Sequence, residues 1–308
     1  MHKRRLLTGA PVIEVVAIAA LVSVLLWTTA RGAEPVYLFW TASQMADLDK
    51  KVVSSLDATK GSHVDMMATD RSYFTVVHRE ANSPAGEVHQ KYADFAVVRS
   101  GEGAILAGGT LSGAKQSAPN ELRGTIEGGT LHRLQAGDAY YVPANIPHMM
   151  VVEPGQHFRV EMLRVARAEG DKDLPGFVSW NAALLLSTEK KLRTTMDQYY
   201  SAVEDFIKDD RTQFHLNHKE GTALSEIHEH WAEFQIIRNG EGTMRLGGRV
   251  VGAEVISPGE TRGTALEGAV GQPLRAGDLL YIPAGTPHHT VVERTKSQDK
   301  LIVKVWVP

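Results

Sequence analysis

Histidines and carboxylates recur in this chain at spacings that suit a metal ion. His228 and His230 stand two residues apart, Glu233 follows three residues later, and His288 lies well downstream. Residues i and i+2 of a strand face the same side, so the imidazoles of His228 and His230 are expected to point together. Glu233, just past a tight turn, is placed to reach in from the next strand, and His288 from a later hairpin. Three nitrogens and one oxygen make a borderline ligand set, suited to manganese, iron, nickel, copper or zinc. The chain has no cysteine, so thiolate sites and disulfides are excluded, and any metal rests on nitrogen and oxygen. A His-x-His pair on a strand can also be a solvated or hydrogen-bonded pair, and that reading stands beside the metal one.

The elements that must position these groups are written twice. Gly137-Asp138 with Pro143-Ala144-Asn145-Ile146-Pro147-His148 returns as Gly277-Asp278 with Pro283-Ala284-Gly285-Thr286-Pro287-His288, and the stretch from Glu87 to Phe95 returns as Glu226 to Phe234. The earlier copy therefore offers His89, Asp94 and His148, a two-histidine, one-carboxylate set that can leave positions open on iron. Lys91 stands there in place of the second histidine, and an inward ammonium would disfavour a cation. The later copy is the stronger candidate for the metal.

The repeat begins at Trp40-Thr41 and Trp180-Asn181. Thr41 and Asn181 are good helix N-caps, and Gln44 completes a capping-box pattern. Met45, Leu48, Val52 and Leu56 then recur near a helical period, so a short α-helix is expected to open each half. Beyond it, apolar or alternating segments at 73–78, 95–98, 139–142 and 158–165, with counterparts at 214–218, 234–237, 279–282 and 301–307, read as strands. Clusters such as Gly101-Glu102-Gly103 and Gly240-Glu241-Gly242 are expected to separate them, as in hairpin-rich all-β domains.

These motifs resemble the cupin superfamily. Gly277, Pro283, Gly285 and His288 match the family's second motif without departure; in the first copy Asn145 takes the glycine position, which asparagine tolerates at positive φ better than most residues. His228, His230, Glu233 and Gly240 match the first motif with one residue fewer before the glutamate. The resemblance covers about residues 70–166 and 210–308. It implies an all-β fold of two tandem cupin jelly-roll barrels, each preceded by a short α-helix, in which the three histidines and Glu233 converge inside the second barrel. By likeness to enzymatic bicupins it implies one divalent transition metal and a small organic substrate, with dioxygenase, decarboxylase or isomerase chemistry. A bicupin that only binds a ligand, or holds a metal structurally, is the alternative; the resemblance also allows a homo-oligomer.

The length of 308 residues accommodates two such domains. They are read as 36–167 and 177–308, joined by a polar linker at 168–176 that ends in proline and glycine. With 43% apolar and 22% charged residues the composition is that of a globular protein, and a net charge of −3 with no internal basic run argues against nucleic acid as a partner. Lys3, Arg4 and Arg5 precede an apolar run from 15 to 27 in which Ser23 is the single polar member. Residues 1–32 thus have the order of a secretory signal peptide, too short to span a bilayer readily. Export to the periplasm or medium is expected, with an N-terminal anchor as the alternative; membrane contact follows only if the segment is retained.

Other residues are read more plainly. Arg123 and Arg262, in matched loops, could hold a substrate carboxylate by a two-pronged contact, although pairing with the neighbouring glutamate is the simpler role. Gln235 is an alternative oxygen ligand to Glu233, and His78 and His218 are expected to be satisfied strand histidines. His289 should face away from His288, and Trp231 and Trp306 are expected in the core.

Overall fold

Two eleven-stranded antiparallel sheets, each curled on itself, account for most of the chain in this computed structural model, which describes residues 37–168, 171–172 and 174–308. The segment 1–32 lies outside the described residues. In the first sheet the order runs Gly61–Ala68, Ser72–Arg79, Phe158–Ala166, Tyr92–Ala107, His148–Val151, Gly86–His89, Glu121–Glu127, Thr110–Ala118. The second repeats it as Ser201–Lys208, Thr212–Lys219, Gln298–Trp306, Trp231–Leu246, His288–Val291, Ser225–His228, Glu260–Gly263, Glu254–Ser257. Each is a jelly-roll half of the expected all-β fold.

Each curl depends on one long strand. Tyr92–Ala107 pairs through its first half with Phe158–Ala166 and Ala139–Val142, and through its second with Thr130–Gln135 and His148–Val151. The glycine clusters expected to separate strands lie inside these long strands instead, where they allow the backbone to bend. Gly101 has φ +77°, and a Cβ there would stand 1.9 Å from the carbonyl oxygen of His157; Gly240 repeats this at φ +72° and 1.8 Å from that of Ser297. No L side chain fits such a bend.

Both faces of the central strands are buried, which explains their nearly continuous apolar runs. Ala96, Val98, Tyr140, Val142, Val160 and Met162 fill the interior of the first barrel. The alternate residues Phe95, Val97, Tyr141, Leu163 and Val165 face out, into a core shared with Phe234, Ile236, Tyr281, Leu301, Val303 and Val305 of the second. The barrels thus pack sheet face against sheet face.

The helices lie where the caps predict. Helix α1 spans Ala42–Ser54 with Thr41 and Gln44 forming the capping box, and α2 spans Ala182–Leu192 with the Asn181 side chain accepting from the Leu184 N–H. Asn145 adopts φ +64° against +76° for Gly285, so the turn survives the substitution.

The strands just before the helices are exchanged. Leu38–Trp40 pairs with Leu279–Ile282 of the second barrel, and Val178–Trp180 pairs with Ala139–Val142 of the first. Helix α1 then returns to pack on Gly61–Ala68 and Ser72–Arg79, and α2 on Ser201–Lys208 and Thr212–Lys219. Asp278 locks one crossing by accepting from the Ala42 N–H at 2.7 Å and the Arg275 N–H at 2.8 Å. Asp138 does the same for Ala182 at 2.7 Å and Gln135 at 2.9 Å. In the joining segment, Asp171 is gripped by Arg71 at 3.4 Å and Arg211 at 3.2 Å.

Candidate functional site

In the first barrel the short strand Gly86–His89 puts Glu87 and His89 on one face, because strand side chains alternate. Its neighbours complete a ring: His148 is directly opposite Glu87, Arg123 opposite Glu87 on the other side, and Glu121 opposite His89. Asp94 comes in from the long strand, paired across the ladder with Arg164. His89, His148 and Asp94 are all buried.

Four atoms of this set converge. His89 Nε2 lies 3.5 Å from Glu87 Oε1 and 3.6 Å from Asp94 Oδ2, and His148 Nε2 lies 3.7 Å and 3.4 Å from the same two oxygens. Neither imidazole nitrogen has a hydrogen-bond partner, nor has either oxygen of Asp94. Buried polar atoms left this way are costly unless something else binds them. Glu87, His89 and His148 each offer a ligand atom within 4.8 Å of the others, the reach of atoms that share one ion at ligand bonds of roughly 2.0–2.2 Å.

The surroundings fix the ligands in the right state. His148 Nδ1 is 2.9 Å from the Ile146 carbonyl and donates to it, which leaves Nε2 as the lone-pair atom. Arg164 Nε is 3.3 Å from Asp94 Oδ1, leaving Oδ2 free. Arg123 binds Glu121 at 2.9 Å and Glu87 at 3.5 Å. Burial raises the Glu87 carboxyl, but His89, His148 and Arg164 outweigh it and hold the pKa at about 2. Asp94 is likewise held well below the usual carboxylate range against its burial, with the Arg164 guanidinium the largest opposing influence. Both carboxylates are therefore anionic at neutral pH. The ammonium of Lys91 does not oppose them, since Lys91 is exposed on the turn after His89.

The second barrel brings together His228, Glu233 and His288, but not His230. His228 Nε2 is 3.1 Å from Glu233 Oε1, and His288 Nε2 is 3.9 Å from that oxygen. Glu226, the counterpart of Glu87, stands 3.3 Å from His288 and 3.8 Å from His228. His230 lies on the exposed turn with its ring stacked on Trp306, centroids 5.7 Å apart. Its strand ends at His228, so the rule placing i and i+2 on one face no longer reaches it. The residue sharing that face lies before His228, not after it. Glu87 and Glu226 were missed for this reason; the signal is the Glu-x-His written at 87–89 and 226–228.

A lysine enters this second cluster. Lys304, the counterpart of Arg164, places Nζ 2.8 Å from His228 Nε2 and 2.9 Å from Glu233 Oε1. Gln235 donates to Glu233 Oε2 at 2.6 Å, holding that carboxylate and not replacing it. His228 Nδ1 is bound to Glu260 at 2.5 Å, and Arg262 pairs with Glu226 and Glu260. Arg262 and Arg123 thus brace the glutamates beside the histidines.

The remaining candidates lie apart. His218 is held between Asp299 at 2.6 Å and Glu220 at 3.1 Å, and His78 stands 3.4 Å from Glu80. His289 turns away from His288 to the Ala223 carbonyl at 2.7 Å. Trp231 and Trp306 face each other across strands but are half-buried and not core, with Arg211 4.4 Å above the Trp306 ring.

No sequence-family model matches the chain, and no curated protein matches it by sequence. Solved structures do match in fold. A cupin 2 conserved barrel domain protein from Leptotrichia buccalis covers 90% of this chain and 100% of its own at 9% identity, with a TM-score of 0.52. A putative glyoxylate-induced protein from Pseudomonas aeruginosa aligns over 90% and 91% at 14% identity and a TM-score of 0.58. Salicylate 1,2-dioxygenase from Pseudaminobacter salicylatoxidans aligns over 89% and 86% at 12% identity and 0.59.

Proposed function

We propose that this chain, a bicupin in fold, holds one divalent transition ion in its first barrel through Glu87, His89, Asp94 and His148, and uses it to act on a small organic molecule outside the cytoplasm. The observation that carries this reading is the meeting of Glu87, His89 and His148 around one point, beside the buried Asp94 carboxylate, with His89 Nε2, His148 Nε2 and Asp94 Oδ2 lacking any hydrogen-bond partner of their own. When bound, the ion supplies a Lewis acid or redox centre at which a substrate or oxygen can bind. The chain does the rest. Arg164 steadies Asp94, the Ile146 carbonyl sets the tautomer of His148, and Arg123 restrains Glu87.

The Glu87 side chain is a quarter exposed, so the cluster is reached from solvent on that side. Oxygen-dependent cleavage, decarboxylation and isomerisation are the reactions such a set supports, and the fold neighbour that acts on salicylate makes small aromatic and hydroxy acids the first substrates to try. Export rests on the basic triplet and apolar run before residue 32. Among the described residues no helix is long and apolar enough to cross a membrane.

Elemental analysis of the purified full chain tests the reading. About one equivalent of a transition metal is expected, lost in His148→Ala and in Asp94→Asn while circular dichroism stays native. The loss in affinity should exceed the ~10–100-fold that follows mutation of an outer-sphere partner. Protein that takes up none of manganese, iron, nickel, copper or zinc on titration would overturn it. Metal without turnover of any small acid would favour a binding module over an enzyme.

A further inference from the structure

We infer that the second barrel carries its own cation: the Lys304 ammonium stands where the metal of the first barrel would be bound, so this barrel takes up no metal ion while Lys304 is in place. The two clusters are built from matched positions, with Glu226, His228, Glu233 and His288 repeating Glu87, His89, Asp94 and His148. They differ in what lies between the ligands.

An ammonium can only donate. At 2.8 Å from Lys304 Nζ, His228 Nε2 must therefore accept with its lone pair, while its Nδ1–H is committed to Glu260 at 2.5 Å. That lone pair is the one a metal would need. Glu233 is used up in the same way: Lys304 donates to Oε1 and Gln235 to Oε2. Among the four ligand positions of this barrel, only His288 Nε2 is a buried atom without a hydrogen-bond partner, against His89 Nε2, His148 Nε2 and both Asp94 oxygens in the first.

Arg164 does not do this to the first barrel. Its Nε meets Asp94 Oδ1 at 3.3 Å, and its guanidinium approaches Glu87 no closer than 4.0 Å. The nitrogen–oxygen spacings reflect the difference. They run from 3.4 to 3.7 Å in the first cluster and from 3.1 to 3.9 Å in the second. A further buried lysine, Lys300, stands in the second interior where Val160 stands in the first, and repels a divalent ion whenever it carries its proton.

Metal counting after dialysis of the full chain against Zn(II) distinguishes the barrels, and Co(II) absorption gives a readout independent of activity. His228→Ala is expected to leave the metal content unchanged. Lys304→Ala, and Lys304→Gln should the first be unstable, is expected to gain about one equivalent that is lost again when His288→Ala is added. Loss of an equivalent in His228→Ala alone, or no gain in either folded Lys304 variant, would overturn the inference. An empty first barrel would overturn the proposed function but not this one, because the gain in the Lys304 variants does not depend on it.

Discussion

Lys300 is enclosed in the second barrel, 1% exposed, with the Thr290 hydroxyl at 3.2 Å accepting from its Nζ. Burial, reinforced by the charge of Lys219, pushes its pKa down to about 7 from 10.5. Between those values the unfolded chain binds the proton and the folded chain does not, so stability rises with pH through this window and the penalty is complete below it. The slope is at most about 1.4 kcal/mol per pH unit. Lys300→Met is expected to be more stable than the native chain at pH 7, with the difference shrinking toward pH 10; urea denaturation across that range checks it, and a pH-independent difference would refute it. At this scale the sequence was only partly readable. His89, Asp94, His148, His228, Glu233 and His288 stand out by their repeat, whereas Arg164 and Lys304 look like ordinary alternating strand charges until a fold sets them against the carboxylates. His230 misled for the opposite reason, because nothing local marks where a strand stops.

Strand and helix positions follow from local patterns, since caps and alternation act over a few residues. The partner of a three-residue strand does not. Leu38–Trp40 is joined to the far barrel by the seating of Trp40 against Phe74 and Phe234, with ring centroids 5.7 and 6.5 Å away, and no local pattern encodes that. Asp278 and Asp138 are the polar half of the same device. Replacing either with alanine leaves the first N–H of a helix and a turn N–H without their acceptor, and each change is expected to cost about 1–2 kcal/mol. A shift in urea midpoint without a change in m-value would show this; an unchanged midpoint would mean that the crossings are held by packing alone.

Because each barrel is completed by a strand from the other half and the two share one core, the molecule is expected to unfold in a single transition. Chains divided within 168–176 should be unfolded or insoluble when produced separately and soluble when produced together. A C-terminal half that folds alone with native stability would contradict this. The doubled motif and the class of fold could be read from strand pattern and repeat, while the interlocking could not, because its strands are three residues long and one of the two exchanges joins residues more than two hundred positions apart. That separation has a consequence during synthesis. At roughly 5–20 residues per second, the ribosome needs on the order of ten to fifty seconds after making Trp40 to reach its partner strand at Leu279. For that interval a tryptophan-bearing nascent end has no mate, which makes it a natural binding target for a chaperone.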